Sequence, residues 1–240
     1  MNEKIKKLIQ IAEKRMSHSR DPIHDLSHVR RVVGYVEEFG ATYTLTEKQK
    51  DALVLAAWWH DVSRTLGKGS SFVLMPLFDD LLSALMLWMQ TIRYGLFGSV
   101  AGMATRIILC KSIGTGTIFT RFFLRRSELI LLDILKDADM VDIFHTERIA
   151  RVFRIIERSR AHRLAYRVVI RWHVQVSRFP VKTAAAKKRI IDIIKKLVEW
   201  MQSPIVHAWH LQQFGKEWLE RTLAMFWKAF DNLCARQVTS

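Results

Sequence analysis

Cysteine, proline and glycine are all scarce in this 240-residue chain, at two, four and ten residues. The two cysteines, Cys110 and Cys234, share no CxxC spacing, which excludes a disulfide framework and a thiolate zinc site and fits a reducing, cytoplasmic setting. So few helix breakers, with β-branched alternation nearly absent, favour helices over strands, and the expected class is all-α. Long uninterrupted apolar runs are missing too. The stretch Ala84 to Met103 comes closest, but it holds Gln90, Arg93 and Tyr94 and follows Asp79-Asp80. It reads as a buried core helix with a glycine-rich break behind it, and no transmembrane segment is expected. At the N-terminus, Glu3, Lys4, Lys6 and Lys7 interleave with Ile5, Leu8 and Ile9, an amphipathic helix and not a secretory signal.

Acidic residues are in deficit. Lys and Arg outnumber Asp and Glu by 38 to 23, a formal charge of +15. Such a field attracts phosphate-bearing partners, whether a small molecule such as a nucleotide, a nucleic acid or an anionic membrane; the plain alternative is a solvated basic surface. The face Lys187-Lys188-Arg189 with Lys195-Lys196, opposite Ile190, Ile193, Ile194 and Leu197, poses the same choice.

Helical periodicity recurs along the chain. Ile5, Leu8, Ile9 and Ala12 mark a first face; Val29, Val32, Val33 and Val36 mark a second, which Gly40 can stop. Asp25 is a candidate N-cap. Thr46 with Gln49 forms a capping box opening a third helix, which runs through Leu53, Ala56 and Ala57 to the pair His60-Asp61. Gly67 to Ser71 is a loop before a long apolar helix from about Pro76 to Tyr94, and Lys111 to Thr117 is a connector without P-loop spacing. Ser127 is expected to cap a helix reaching Asp139 and Phe144, and Thr146 to begin another. Three further helices are expected at about 160–178, 183–202 and 205–236, with Pro204 at a first helical position. Five of the eight tryptophans, Trp172, Trp200, Trp209, Trp218 and Trp227, fall in this part at spacings that suit core packing. The division drawn from this pattern is 1–159 and a C-terminal helical extension, 160–240, packing on it.

His60-Asp61 is the most informative pair, because an imidazole beside a carboxylate offers a metal ion two anchors of different hardness. Partners are available in His24-Asp25-Leu26-Ser27-His28, in Asp137-Ala138-Asp139 and in Asp142. A hydrolytic centre needs neutral nitrogens and anionic oxygens held convergently with a position open for water. Two imidazoles and two carboxylates, from His28, His60, Asp61 and Asp139, suit Mn, Fe, Co, Zn or Ni better than Ca, and Mg stays among the candidate ions.

Three segments in order carry a resemblance. His28-Val29-Arg30-Arg31-Val32 looks like the HxxRV segment, Trp59-His60-Asp61-Val62 like the HD doublet, and Leu135 to Asp142 like the DADxxD segment of HD-domain metal-dependent phosphohydrolases, over residues 20 to 150. The resemblance implies a compact multi-helix bundle, with His28, His60, Asp61 and Asp139 as ligands of one divalent ion. Asp139 is preferred to Asp137 because the family's ligand follows the alanine; Asp139 and Asp142 also share a helix face. Asp61, Arg31 and Asp142 are the residues assigned to the reaction, with Asp142 orienting a histidine or a water. Arg31 either contacts a substrate phosphate or pairs with Asp142 or Glu37; Lys111 and Arg64 are weaker phosphate candidates.

Two departures narrow the expectation. No histidine lies between positions 62 and 144, where many bacterial members place ligands for a second metal. Asp79 or Asp80 falls near one such position, and the other reads Leu109-Cys110-Lys111-Ser112. One metal is therefore expected. His24 is read as a neighbour of the site, and His145, His162, His173, His207 and His210 as surface or core residues. The functional expectation is a phosphohydrolase acting on a phosphomonoester or phosphoanhydride, most simply of a nucleotide; the alternative is a catalytically weakened module that binds nucleic acid or a protein through its basic surface.

Overall fold

The computed structural model describes residues 1–66, 78–95, 98–111, 116–157, 159–175 and 181–238. The fold is all-α, and the described residues contain no strand. The helices run α1 (Glu3–Met16), α2 (Leu26–Gly40), α3 (Glu47–Trp59), α4 (Asp79–Arg93), α5 (Ser99–Lys111), α6 (Gly116–Phe123), α7 (Leu129–Ile143), α8 (Thr146–Ile156), α9 (Arg160–Gln175), α10 (Ala184–Gln202), α11 (Pro204–Phe214) and α12 (Lys216–Val238). They divide into two compact units, Met1–Asp139 and Met140–Ser240, with the boundary inside α7. The division drawn from sequence at 159/160 falls between α8 and α9, within the second unit. No helix among the described residues is long and apolar enough to cross a membrane.

In the first unit α3 is the hub, packing on α1, α2 and α5. Its segment Ala52 to Trp59 is apolar almost all round, as a helix enclosed by neighbours must be. Ala52, Leu53, Leu55, Ala56, Ala57 and Trp59 are all buried, and Trp59 Nε1 donates to the Leu8 carbonyl at 3.1 Å, so its one polar atom is satisfied inside the core. Helix α2 contributes Val29, Val32, Val33 and Val36, each worth about 1.5–3 kcal/mol when removed from water. Both ends of this arrangement are fixed locally. Asp25 caps α2 by accepting from the His28 amide at 3.0 Å, and Thr46 with Gln49 makes both bonds of a capping box at the start of α3. A capped start sets where His28 falls, and a short 3₁₀ turn, Val62–Leu66, takes over where α3 ends at His60.

Four expectations need correction. Helix α4 is half-buried instead of a core helix: it packs on α5 with Ser83, Ala84, Met86, Leu87 and Thr91, leaving Leu81, Leu85, Trp88, Met89 and Ile92 exposed. Ser127 is not a cap; it lies in a 3₁₀ turn, Arg126–Glu128, where Glu128 accepts from the Arg125 amide at 3.1 Å. Ile9 is only half-buried, and Met16 completes the α1 face instead. The helix expected at 205–236 is two, because Gly215 adopts φ +81° and the backbone cannot continue helically through it. Gly67 to Ser71, Ser112 to Thr115 and Pro180 lie outside the described residues, as do the side chains of Trp172 and His173.

The second unit is organised around aromatic packing. Phe153 stacks on Trp209 at 3.7 Å and on Trp200 at 5.3 Å between centroids, while Phe214 and Trp218 close at 4.5 Å. His210 sits among them, fully buried. Three of the C-terminal tryptophans therefore serve packing. In α10, Ile190, Ile193, Ile194 and Leu197 face inward and Lys187, Lys188, Lys195 and Lys196 outward, as their spacing requires.

Candidate metal centre

Helix α2 delivers His28 from its first turn, and α3 delivers His60 as its C-terminal cap with Asp61 directly after it. Asp139 comes from α7. The Nε2 atoms of His28 and His60 stand 3.3 Å apart, and Asp61 Oδ2 lies 3.1 Å from the first and 3.3 Å from the second. Asp139 Oδ1 lies 3.6 Å from His28 Nε2 and 4.0 Å from His60 Nε2. His28, His60 and Asp139 form a group whose donor atoms all fall within 4.8 Å of one another.

All of these separations except the wider His60–Asp139 one match ligands that share an ion. For metal–ligand bonds of about 2.0–2.2 Å, neighbouring donors in a tetrahedral shell are about 3.3–3.6 Å apart and closer in an octahedral one. The tautomer agrees. His60 Nδ1 is 2.7 Å from the Ala57 carbonyl, which can only accept, so Nδ1 carries a proton and Nε2 is the ring nitrogen turned toward the cluster, where a neutral ring offers its lone pair. Unprotonated imidazole nitrogens and an anionic oxygen at this range repel unless a proton or a metal ion lies between them.

The surrounding charge is arranged in two groups. Lys111 Nζ lies 2.8 Å from Asp139 Oδ2 and 3.4 Å from Asp80 Oδ1. Arg64 pairs with Asp79 and stands 3.8 Å from Asp21, which also holds His24 at 3.1 Å. Ser63 donates its amide to Ser83 Oγ at 3.0 Å and its hydroxyl to Asp79 at 3.3 Å, tying the turn after the HD pair to α4. The carboxyl groups of Asp21, Asp61, Asp79, Asp80 and Asp139 outnumber the cations Lys111 and Arg64, and a metal ion would offset part of the excess. Chemistry, distances and tautomer thus fit a divalent metal ion.

Burial opposes ionisation throughout this centre, and neighbouring charges decide the outcome. At Asp61 burial is overcome by His60, His24 and His28, which hold its carboxyl well below the usual range. At Asp139 the same penalty is overcome chiefly by Lys111, then by His60 and His28. Burial would lower His60, but Asp61 and Asp139 raise it above its ordinary value, with Lys111 opposing. Lys111 itself is raised because Asp139, Asp80 and Asp61 outweigh its desolvation. Asp79 is pushed up to about 7 by burial, with Asp61 and Asp80 adding to it against Arg64.

The geometry brings His28, His60, Asp61 and Asp139 together. Asp137 is buried on another face of α7, where its charge helps raise Tyr43 after burial has done so. Asp142 belongs to the second unit, fully buried, with Arg148 3.5 Å away. Arg31, one turn beyond His28, is held by Ser27 Oγ at 3.2 Å. Three participants were not singled out from sequence: Asp21, Ser63 and Ser83. Asp21 was the most findable, since it stands three residues before His24 in the turn that leads into α2. His207 and His210 make no metal site: His210 Nδ1 lies 2.8 Å from the Val206 carbonyl and Nε2 2.9 Å from the Tyr166 hydroxyl.

No protein-family model matches the chain, and no curated protein or solved structure is significantly similar to it.

Proposed function

We propose that the protein is a metal-dependent phosphohydrolase of the HD type, acting on a phosphomonoester or phosphoanhydride, with a nucleotide the simplest substrate. The observation that carries this reading is the grouping of the His28 and His60 Nε2 atoms, 3.3 Å apart, with a carboxylate oxygen of Asp139, while Asp61 Oδ2 lies 3.1 and 3.3 Å from the two nitrogens. His28, His60 and Asp139 would hold one divalent ion, and Asp61 Oδ2 stands as a fourth donor atom beside the two imidazoles. When bound, such an ion polarises a phosphoryl oxygen and acidifies a coordinated water.

The chain's own residues set the remaining conditions. Ala57 O fixes the His60 ring through Nδ1, so the ligand nitrogen needs no reorientation. Asp61, held ionised by three histidines, remains an anionic oxygen beside the two ring nitrogens. Arg31 lies on the α2 face that carries His28, where its planar fork suits a phosphate oxygen. A net charge of +15 raises the encounter rate with anionic substrates.

Purified protein should retain a divalent ion and hydrolyse a member of a phosphoester and nucleotide panel, and His60→Ala should abolish both. The proposal fails if the protein holds no divalent metal and the substitution changes neither property. The same charge supports a second reading, a binding module for nucleic acid. That reading predicts affinity falling steeply with salt and indifferent to His60→Ala.

A further inference from the structure

The two oxygens of Asp139 face different partners. Oδ1 turns toward the imidazoles of His28 and His60, at 3.6 and 4.0 Å, while Oδ2 takes the Lys111 ammonium at 2.8 Å. A carboxylate that bridges two metal ions divides its oxygens in this way, one to each ion. On the far side of the ammonium stands Asp80, 3.4 Å away, the carboxylate that would otherwise be available to a second metal. Lys111 comes from the last residue of α5 and Asp80 from the first turn of α4, and these two helices pack closely. The side chains of Lys111, Asp80 and Asp139 are 12%, 7% and 22% exposed, so the charge is held in a largely enclosed place. An ammonium has three N–H donors, and the two carboxylates account for two of them.

We propose that Lys111 serves as the second cation of this centre: its ammonium neutralises Asp80 and Asp139, limits the site to one metal ion, and directs its remaining N–H to a phosphoryl oxygen of the substrate. This rests on the phosphohydrolase reading above. It also accounts for the balance of carboxylates in a centre to which positions 62 to 144 bring no histidine. A lysine is a compact point charge, suited to replacing an ion where a planar guanidinium would not fit.

The test is metal stoichiometry on the full chain, loaded with Mn2+, desalted and measured by elemental analysis, alongside calorimetric titration of the loaded protein with inorganic phosphate. Wild type and Asp80→Asn should each hold one equivalent. Lys111→Glu, which places a third carboxylate beside Asp80 and Asp139, should gain a second. Lys111→Met should bind phosphate about tenfold or more weakly, the worth of a charged hydrogen bond, and Lys111→Arg should recover part of that loss. Circular dichroism confirms that each variant is folded, and the Met and Arg variants keep the proposal falsifiable should Lys111→Glu fail to fold. Two equivalents in wild type, a single equivalent in folded Lys111→Glu, or unchanged phosphate affinity in Lys111→Met would each overturn the assignment. Wild type with no bound Mn2+ overturns the phosphohydrolase reading itself, and the assignment with it.

Discussion

Acid should weaken the second unit through one residue, His210. Its ring is fully buried among Phe153, Trp209, Phe214 and Trp218, with Nδ1–H donating to Val206 O and Nε2 accepting from Tyr166. Burial lowers its pKa to about 4, while an unfolded histidine titrates near about 6.5. Between those values the unfolded chain binds a proton that the folded one refuses, so stability falls as pH falls. Linkage gives a loss of about 2 kcal/mol from pH 7 to pH 5 and about 3 kcal/mol by pH 4. Replacing His210 with glutamine keeps a side chain that can donate and accept but removes the titration. Urea unfolding followed by tryptophan fluorescence, at pH 7, 6 and 5, should show wild type losing about 2 kcal/mol more than His210→Gln over that interval. The difference between the two proteins is the relevant quantity, since other groups oppose it. Asp79, raised to about 7, stabilises the folded state at low pH and ceases to do so as pH rises past that value. Equal slopes in the two proteins would refute the reasoning and place a protonatable, hydrated histidine where the structure puts a buried neutral one.

Other consequences can be checked independently. Trp59→Ala removes the largest side chain of the first core together with its bond to Leu8, and should cost about 3–5 kcal/mol in urea unfolding. Gly215→Ala meets no atom within 4 Å but must hold φ +81°, so it should cost about 1–3 kcal/mol from backbone strain alone, visible as a lowered Tm. Proton and metal compete for His60 Nε2, whose pKa is raised; Mn2+ affinity measured by calorimetry should therefore fall as pH drops through a value above that of an ordinary histidine. In the metal-free protein the sign reverses: stability from the charged ring is complete at low pH and is lost as pH rises through the raised pKa. Asp61→Asn should move the Mn2+ midpoint to lower pH, because Asp61 is the group that raises His60 most.

Much of the first unit was legible because local rules there agree with tertiary need. Asp25, Thr46 and Gln49 cap their helices as their residue types suggest, and the α2 valines and α3 alanines repeat at helical spacing. The proximity of His28, His60, Asp61 and Asp139 could be anticipated because short segments carry them, and the geometry brings those segments together. What stayed hidden was decided by packing across the chain. Nothing local to Lys111 says that Asp139 and Asp80 will meet it, and the α4 periodicity does not reveal that only one face is covered. Gly215 was missed because apolar and aromatic residues continue at helical spacing through Phe214 and Trp218, so a single residue in a conformation reserved for glycine decides the break. The Asp21–Arg64–Asp79 chain escaped for a different reason: charged residues near a turn usually face solvent, and here burial reverses that expectation.

The central claim is that His28, His60 and Asp139 bind one divalent ion with Asp61 beside them. Elemental analysis of the protein after Mn2+ loading and desalting tests it most directly, on wild type and on folded His28→Ala, His60→Ala and Asp139→Ala. One equivalent per chain in wild type, and none in the three variants, is the predicted result. Wild type without bound metal, or variants that keep it, would contradict the account.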